Sequence, residues 1–179
     1  MKLVIASDLH GSLYYAQKLI DRFETEKGDK LVILGDFYYH GPRNVLPQGY
    51  DPAKVANILN AYKSKIIAIK GNCDSEVDQT ISEFTMEESL NIEADGKTIT
   101  LSHGHKFDIN NMPVYCGDIF LYGHYHVPFV QEKDGVIVAS PGSISLPKQD
   151  SKHTYMTIEN GIMLIKSLDG EIIIKKELK

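Results

Sequence analysis

Five short polar clusters punctuate this chain, each directly behind an apolar run. They are Asp8, His10 and Gly11; Gly35 and Asp36; Gly71, Asn72, Cys73 and Asp74; His103, Gly104 and His105; and Gly123, His124 and His126. The runs before them, at 2–6, 30–34, 65–70, 97–101 and 119–122, have the composition of strands. Strand ends that converge would gather carboxylates, imidazoles and one amide at a single edge. That donor set suits Mn, Fe, Zn or a similar ion better than calcium or a thiolate site. Two such ions about 3.5–4 Å apart need a bridging anion, and Asp36 is the natural shared carboxylate. Asp8 and His10 lie two apart, as do His103 and His105, and His124 and His126. In extended backbone each pair points one way. A single histidine at a strand end is ordinarily a hydrogen-bonded loop residue, so the ordered set carries the metal reading.

The elements that must position these residues change character midway. The first half alternates strand and helix. Ser12 reads as the N-cap of a helix running to about residue 27, with Leu13, Ala16, Leu19, Ile20 and Phe23 at helical spacing. Gly28 and Asp29 end it. A turn-rich loop at 37–50 contains Gly41, Pro42 and Pro47. Asp51 and Pro52 then read as N-cap and first residue of a second helix bearing Val55, Ile58, Leu59 and Tyr62. This β-α-β-α-β order predicts parallel strands with right-handed crossovers and a site beyond their carboxyl ends. The second half predicts hairpins at Asp95-Gly96, Asp134-Gly135 and Asn160-Gly161, and Asp169-Gly170 precedes a last strand at 172–176. No linker, repeat or low-complexity tract divides residues 1–179, so a single domain with two sheets is expected.

A chain of 179 residues, 42% of them hydrophobic, suffices for one sizeable core. Its net charge of −5 and lack of a basic tract argue against long nucleic-acid partners. A metal pair would add about four positive charges locally and attract a phosphate. No apolar run approaches the ~20 residues of a membrane span. The run at the N-terminus is too short for a signal-peptide core, so a cytoplasmic protein is expected. Two cysteines without CxxC spacing suit free thiols in a reducing compartment. GxSxG, HExxH, Walker A and helix-opening GxGxxG patterns do not occur.

Taken in order from Asp8 to His126, the patterns DxH, GD, GNxD, HGH and GHxH resemble those of the calcineurin-like metallophosphoesterase superfamily. Pro141, Gly142 and Ser143 resemble its later NPGS-type element, with Ser140 in place of Asn. Asp36 followed by His40-Gly41-Pro42-Arg43-Asn44 is most similar to the superfamily's small bacterial phosphodiesterases of the YfcE type. The resemblance implies a four-layer α/β/β/α sandwich with two central mixed β-sheets. It implies one metal site made by Asp8, His10, Asp36 and His126, and another by Asp36, Asn72, His103 and His124. Mn²⁺ is the first candidate, with Zn²⁺, Fe²⁺ and Ni²⁺ behind it. The expected reaction is hydrolysis of a small phosphodiester by a hydroxide bridging the two ions. A phosphomonoesterase and a non-catalytic metal-binding scaffold are the alternatives. Self-association as a dimer or tetramer also fits the resemblance.

The main departure is Cys73, where many members carry a histidine that assists catalysis. A thiol does not replace an imidazole as general acid. His40 is the substitute candidate for protonating the leaving oxygen, and Arg43 for gripping a phosphoryl oxygen through its fork of donors; as a bland alternative both are solvated residues of a surface turn. Tyr38 and Tyr39 either pack this loop or stack on a base or aryl group. His105 either touches a metal, orients a ligand or contacts substrate. Tyr125 should point away from the metals. Asp74 either anchors the Asn72 turn or caps the next helix, and capping is the simpler reading.

Overall fold

The computed structural model describes residues 1–178. In chain order the elements are β1 (Leu3–Ala6), α1 (Leu13–Thr25), β2 (Lys30–Ile33), α2 (Pro52–Asn60), β3 (Ile66–Ile69), α3 (Glu76–Ile81) and β4 (Met86–Glu87). The all-β half follows with β5 (Ser89–Ala94), β6 (Lys97–Ser102), β7 (Ile119–Leu121), β8 (Pro128–Lys133), β9 (Val136–Pro141), β10 (Thr154–Glu159), β11 (Ile162–Ser167) and β12 (Ile172–Glu177).

The caps are those the sequence predicts. Ser12 Oγ accepts from the Tyr15 N–H at 3.2 Å, and Asp51 Oδ1 from the Lys54 N–H at 3.2 Å. Helix α1 buries Tyr15, Ala16, Leu19, Ile20 and Phe23. Gly28 lets the chain turn beneath it, since a Cβ there would lie 2.5 Å from the Phe23 ring. Of the two short elements α3 and β4, sequence reading expects a helix after Asp74 without giving its bounds and misses the strand, because both carry little periodic signal. Helix α3 buries no residue, and its N-cap is Ser75, in a capping box with Asp78. This corrects the reading of Asp74 as the cap.

One sheet has the order β12-β11-β10-β1-β2-β3-β4 and the other β5-β6-β7-β9-β8. Strands β1, β2 and β3 are parallel, as expected, while β10 joins β1 antiparallel, Leu3 facing Ile158. In the second sheet β6, β7 and β9 are parallel, and the hairpins at residues 95–96 and 134–135 add the edge strands β5 and β8. Strand β1 is wholly buried because both its faces are covered. Val4 and Ala6 pack with Leu19, Phe23 and Val55 on the helical side. Leu3 and Ile5 pack with Ile99, Leu101 and Leu121 between the sheets. Each such side chain contributes about 1.5–3 kcal/mol by leaving water. The outer face of the second sheet (Phe120, Tyr122, Val138) is covered by Phe107, Ile109 and Met112 from an irregular segment. Among the described residues no helix is long and apolar enough to cross a membrane.

A polar tie fastens α1 to the first sheet. Glu26 receives Lys166 Nζ at 2.7 Å, Lys2 Nζ at 2.8 Å and the Tyr155 hydroxyl at 2.8 Å. Burial alone would raise its pKa; the three donors outweigh burial and hold it at about 2. An unfolded glutamate titrates near 4.5. The tie is therefore fully present above that value and is lost as pH falls towards 2. Glu26→Gln should cost about 2 kcal/mol at pH 7 after solvent screening, and the difference from the parent protein should shrink below pH 4. Urea titrations at pH 7 and pH 3.5 check this.

Candidate active site

The polar clusters do meet at the carboxyl ends of the strands, but their backbone is not extended. Asp8, His10, Asp36, His124 and His126 have φ of 59°, 49°, 57°, 66° and 63°. Alternation along a strand therefore does not aim them; a left-handed residue at each position does. Such conformations cost roughly 1–2 kcal/mol each for a residue with a Cβ and persist where surroundings hold them. The holding contacts are visible. Asp8 N–H donates to Gly35 O at 3.0 Å, and His10 N–H to Asp36 O at 2.8 Å. The Ser143 and Ser145 hydroxyls both donate to Asp8 O, at 2.9 and 2.7 Å. Asp74 accepts three amides: Gly71 at 2.7 Å, and Asp36 and Phe37 at 2.8 Å each. It thus anchors the Asp36 and Asn72 turns together. Burial and the charge of Asp36 push its carboxyl up to about 6, against the pull of those amides.

Asp8, His10, Asp36, His103 and His126 are buried. Three of these histidines use Nδ1 on a carbonyl: His10 on Tyr39 O at 2.8 Å, His103 on Leu34 O at 2.6 Å, and His126 on Leu146 O at 2.6 Å. A carbonyl only accepts, so each Nδ1 carries hydrogen and each neutral ring presents a bare Nε2 lone pair inward. His10 Nε2 and His126 Nε2 lie 3.2 Å apart. Asp8 Oδ1, 3.2 Å from His126 Nε2, has no hydrogen-bond partner though buried. Asp36 faces both ways: Oδ2 is 3.6 Å from His10 Nε2 and Oδ1 is 3.5 Å from His103 Nε2. The Asn72 amide oxygen lies 3.0 Å from His103 Nε2. Acceptors crowded against acceptors repel unless a cation stands among them. The donor atoms of Asp8, His10 and His126, and those of Asp8, Asp36 and His103, lie within 4.8 Å of one another. The site fits divalent metal ions on these grounds.

Electrostatics point the same way. Burial would raise the Asp8 pKa, but the His126 imidazole beside it and the charges of the other surrounding imidazoles hold it well below the usual carboxylate range. Burial disfavours the His103 imidazolium, yet the carboxylates of Asp36 and Asp8 beside it lift its pKa to about 9. The carboxylates that favour a proton there also favour a divalent cation in its place. Burial and the neighbouring His103 push His124 down to about 4. Its ring stands 5.1 Å from that of His103, and its N–H donates to Asp8 Oδ2 at 3.1 Å.

A cleft opens over this cluster, with Asp36, Arg43, Asn72, Cys73 and His124 on its walls. Cys73 gives its N–H to Asp36 Oδ1 at 2.9 Å. Burial and the Asp36 charge push its thiol up to about 12, so it stays protonated. His40 lies beside the cleft, its ring edge-on to Tyr39 and Tyr50, with a buried Nδ1 that has no hydrogen-bond partner. The two tyrosines split the roles envisaged for them. Tyr38 is buried with its hydroxyl 2.6 Å from Ser82 Oγ, whereas Tyr39 is exposed on the cleft wall. His105 is exposed, its ring 5.4 Å from that of His103. Tyr125 gives its hydroxyl to Asp108 at 2.8 Å.

Residues 1–161 match the model of the calcineurin-like phosphoesterase superfamily domain. This chain belongs to that superfamily. As a superfamily member with this donor set, it is a metal-dependent phosphoester hydrolase. Phosphodiesterase YfcE of Escherichia coli K12 is 40% identical to it over 176 residues, covering 97% of this chain and 96% of that one. The solved structure of E. coli YfcE, described as a phosphoesterase, matches with a TM-score of 0.96 at 38% identity over the full length of both. Phosphodiesterase MJ0936 of Methanocaldococcus jannaschii is 29% identical over 188 residues, covering 100% of this chain and 97% of that one. Zn-complexed Vps29 of Entamoeba histolytica, 19% identical with a TM-score of 0.67 over the full length of both chains, shares the fold.

Sequence reading missed the supporting contacts. The hold of Asp74 on the Asp36 and Phe37 amides and the paired serine donors on Asp8 O have no local signature, because their partners lie 37–38 and 135–137 residues away.

Proposed function

We propose that residues 1–179, acting as one domain, hydrolyse a small phosphodiester with two divalent ions, Mn²⁺ foremost. One observation carries the reading: Asp36 turns one carboxylate oxygen towards His10, in the Asp8/His10/His126 group, and the other towards His103, whose Nε2 also meets the Asn72 amide oxygen. On this reading Asp8, His10, Asp36 and His126 hold one ion, and Asp36, Asn72, His103 and His124 the other. Bound ions would polarise the phosphoryl oxygens and make a hydroxide nucleophile available near neutral pH. The chain's own contribution is positioning: the Nδ1–carbonyl bonds fix the imidazoles, and Asp74 fixes Asp36. Arg43, on the cleft wall, binds a non-bridging phosphoryl oxygen. His40 gives a proton to the leaving oxygen. Free thiols at Cys73 and Cys116 support a reducing, cytoplasmic setting.

Preference for a diester is supported by the names of the relatives and by the protonated thiol at position 73, a weak acid where an imidazole would be a strong one. The test uses demetallated protein with and without Mn²⁺, on bis(p-nitrophenyl) phosphate and on p-nitrophenyl phosphate. Metal-dependent cleavage with the diester faster is expected. Full activity without metal, or a faster monoester, would overturn the reading. The His40 role has its own check. His40→Ala should slow cleavage of a methyl phosphodiester, whose leaving methoxide needs a proton, by about 10²-fold. The p-nitrophenyl diester should slow much less. Equal slowing of both would remove His40 as the acid.

A further inference from the structure

The cleft above the ligand cluster encloses about 770 Å³, room for a nucleotide-sized molecule rather than a minimal diester. Its charge pattern is one-sided. Asp36 is the single carboxylate on its walls, while Arg43 and Lys148 are both cations there. Neither forms an ion pair with a carboxylate among the described residues. Two divalent ions bring four positive charges, and Asp8 and Asp36 return two. One diester with a single negative charge leaves this cleft cationic, in a chain whose net charge is −5.

Lys148 is also held in place by the metal-site loop itself. Its N–H donates to His126 O at 3.1 Å. Its carbonyl accepts from Ser151 N–H at 3.1 Å and Ser151 Oγ–H at 2.6 Å. The next two residues, Gln149 and Asp150, are both left-handed, with φ of 54° and 56°. Two positions earlier, Leu146 O receives His126 Nδ1–H. The loop that orients a candidate metal ligand therefore also sets the root of an unpaired lysine on the cleft wall.

We infer that Lys148 is a substrate-binding residue for a second anionic group, so that the preferred substrates are phosphodiesters carrying a further phosphate. This rests on the phosphodiesterase reading above, with Arg43 serving the scissile phosphate and Lys148 the additional one. The exposed rings of Tyr39 and Tyr125 line the same cleft, so a nucleoside is a suitable carrier for the probes.

The experiment compares the p-nitrophenyl ester of thymidine 5′-phosphate with the same ester bearing a 3′-phosphate, using Mn²⁺-loaded protein. The parent protein should favour the 3′-phosphorylated diester in kcat/KM by about tenfold, the scale of one charged hydrogen bond. Lys148→Met should bring that ratio close to one. A folding defect would lower both rates and leave the ratio standing. Calorimetry supplies a readout that needs no turnover: thymidine 3′,5′-bisphosphate should bind more tightly than thymidine 5′-phosphate, and Lys148→Met should erase the difference. A parent protein without the preference, or a variant that keeps it, overturns the inference. If neither diester is cleaved, the phosphodiesterase reading fails, and the calorimetric pair still decides the role of Lys148.

Discussion

Asp36→Asn should lower phosphodiester hydrolysis by at least about 10³-fold and reduce bound Mn²⁺ from two ions per chain to one or fewer. The reason lies in how the two oxygens are used. Oδ1 faces His103 and accepts the Cys73 N–H, while Oδ2 faces His10. An asparagine keeps the shape but offers one oxygen and one NH₂. Whichever way it turns, one group of ligands meets a donor where it had an anion. The loss of charge matters as much, since Asp36 is one of only two carboxylates in the proposed ligand set. A loss of about 4 kcal/mol in transition-state stabilisation corresponds to about 10³ in rate. The structural consequence is separable. Metal added to the parent protein should raise its melting temperature by mass action, and the variant should show a smaller rise. Elemental analysis after gel filtration, steady-state kinetics and thermal melts with and without Mn²⁺ test the three parts. A variant that keeps two ions and activity within tenfold of the parent would show that Asp36 does not bridge.

Most of the architecture was legible because it rests on local signals. The caps at Ser12 and Asp51, the apolar runs ending at Ala6 and Ile33, and the Asp-Gly and Asn-Gly hairpins all act over a few residues. The extent of α3 and the existence of β4 were not legible, because six and two residues give no period to read. The site was legible as a list of donors and illegible as a geometry. Spacing of two residues suggested strand alternation, yet Asp8, His10, His124 and His126 reach the centre through left-handed backbone. That conformation is set by distant partners, such as Ser143, Ser145 and Gly35 for Asp8. Asp74 shows the same limit: next to Ser75 it looks like a cap, and only the fold brings Asp36 and Phe37 amides to it. Lys148, in a stretch with no recognisable pattern, became visible only as part of the cleft wall.

Gly71→Ala should be nearly as damaging as loss of a ligand, though it removes no functional atom. Gly71 is not among the left-handed glycines, so backbone strain is not the issue. Space is. A Cβ at this position would lie 2.1 Å from Asp36 Oδ1 and 2.4 Å from Asp36 N. Neither atom can yield cheaply, because Asp36 is buried and its N–H is held by Asp74 Oδ2 at 2.8 Å. Gly35 closes the other side, where an added Cβ would meet the Gly71 Cα at 2.7 Å. The methyl group must therefore displace the carboxylate or pry apart the turns that Asp74 joins. Overpacking of this kind costs about 3 kcal/mol, or roughly 10 °C in melting temperature at this chain length. A ligand moved by about 1 Å costs about 10²-fold in rate. Gly96→Ala is the matched control: φ is +73°, and nothing lies within 4 Å of the added Cβ. It should lose about 1 kcal/mol from the left-handed backbone and keep its activity. Equal effects from the two substitutions would mean that crowding at Asp36 does not position it, and that the tight approach of Gly71 serves the fold alone.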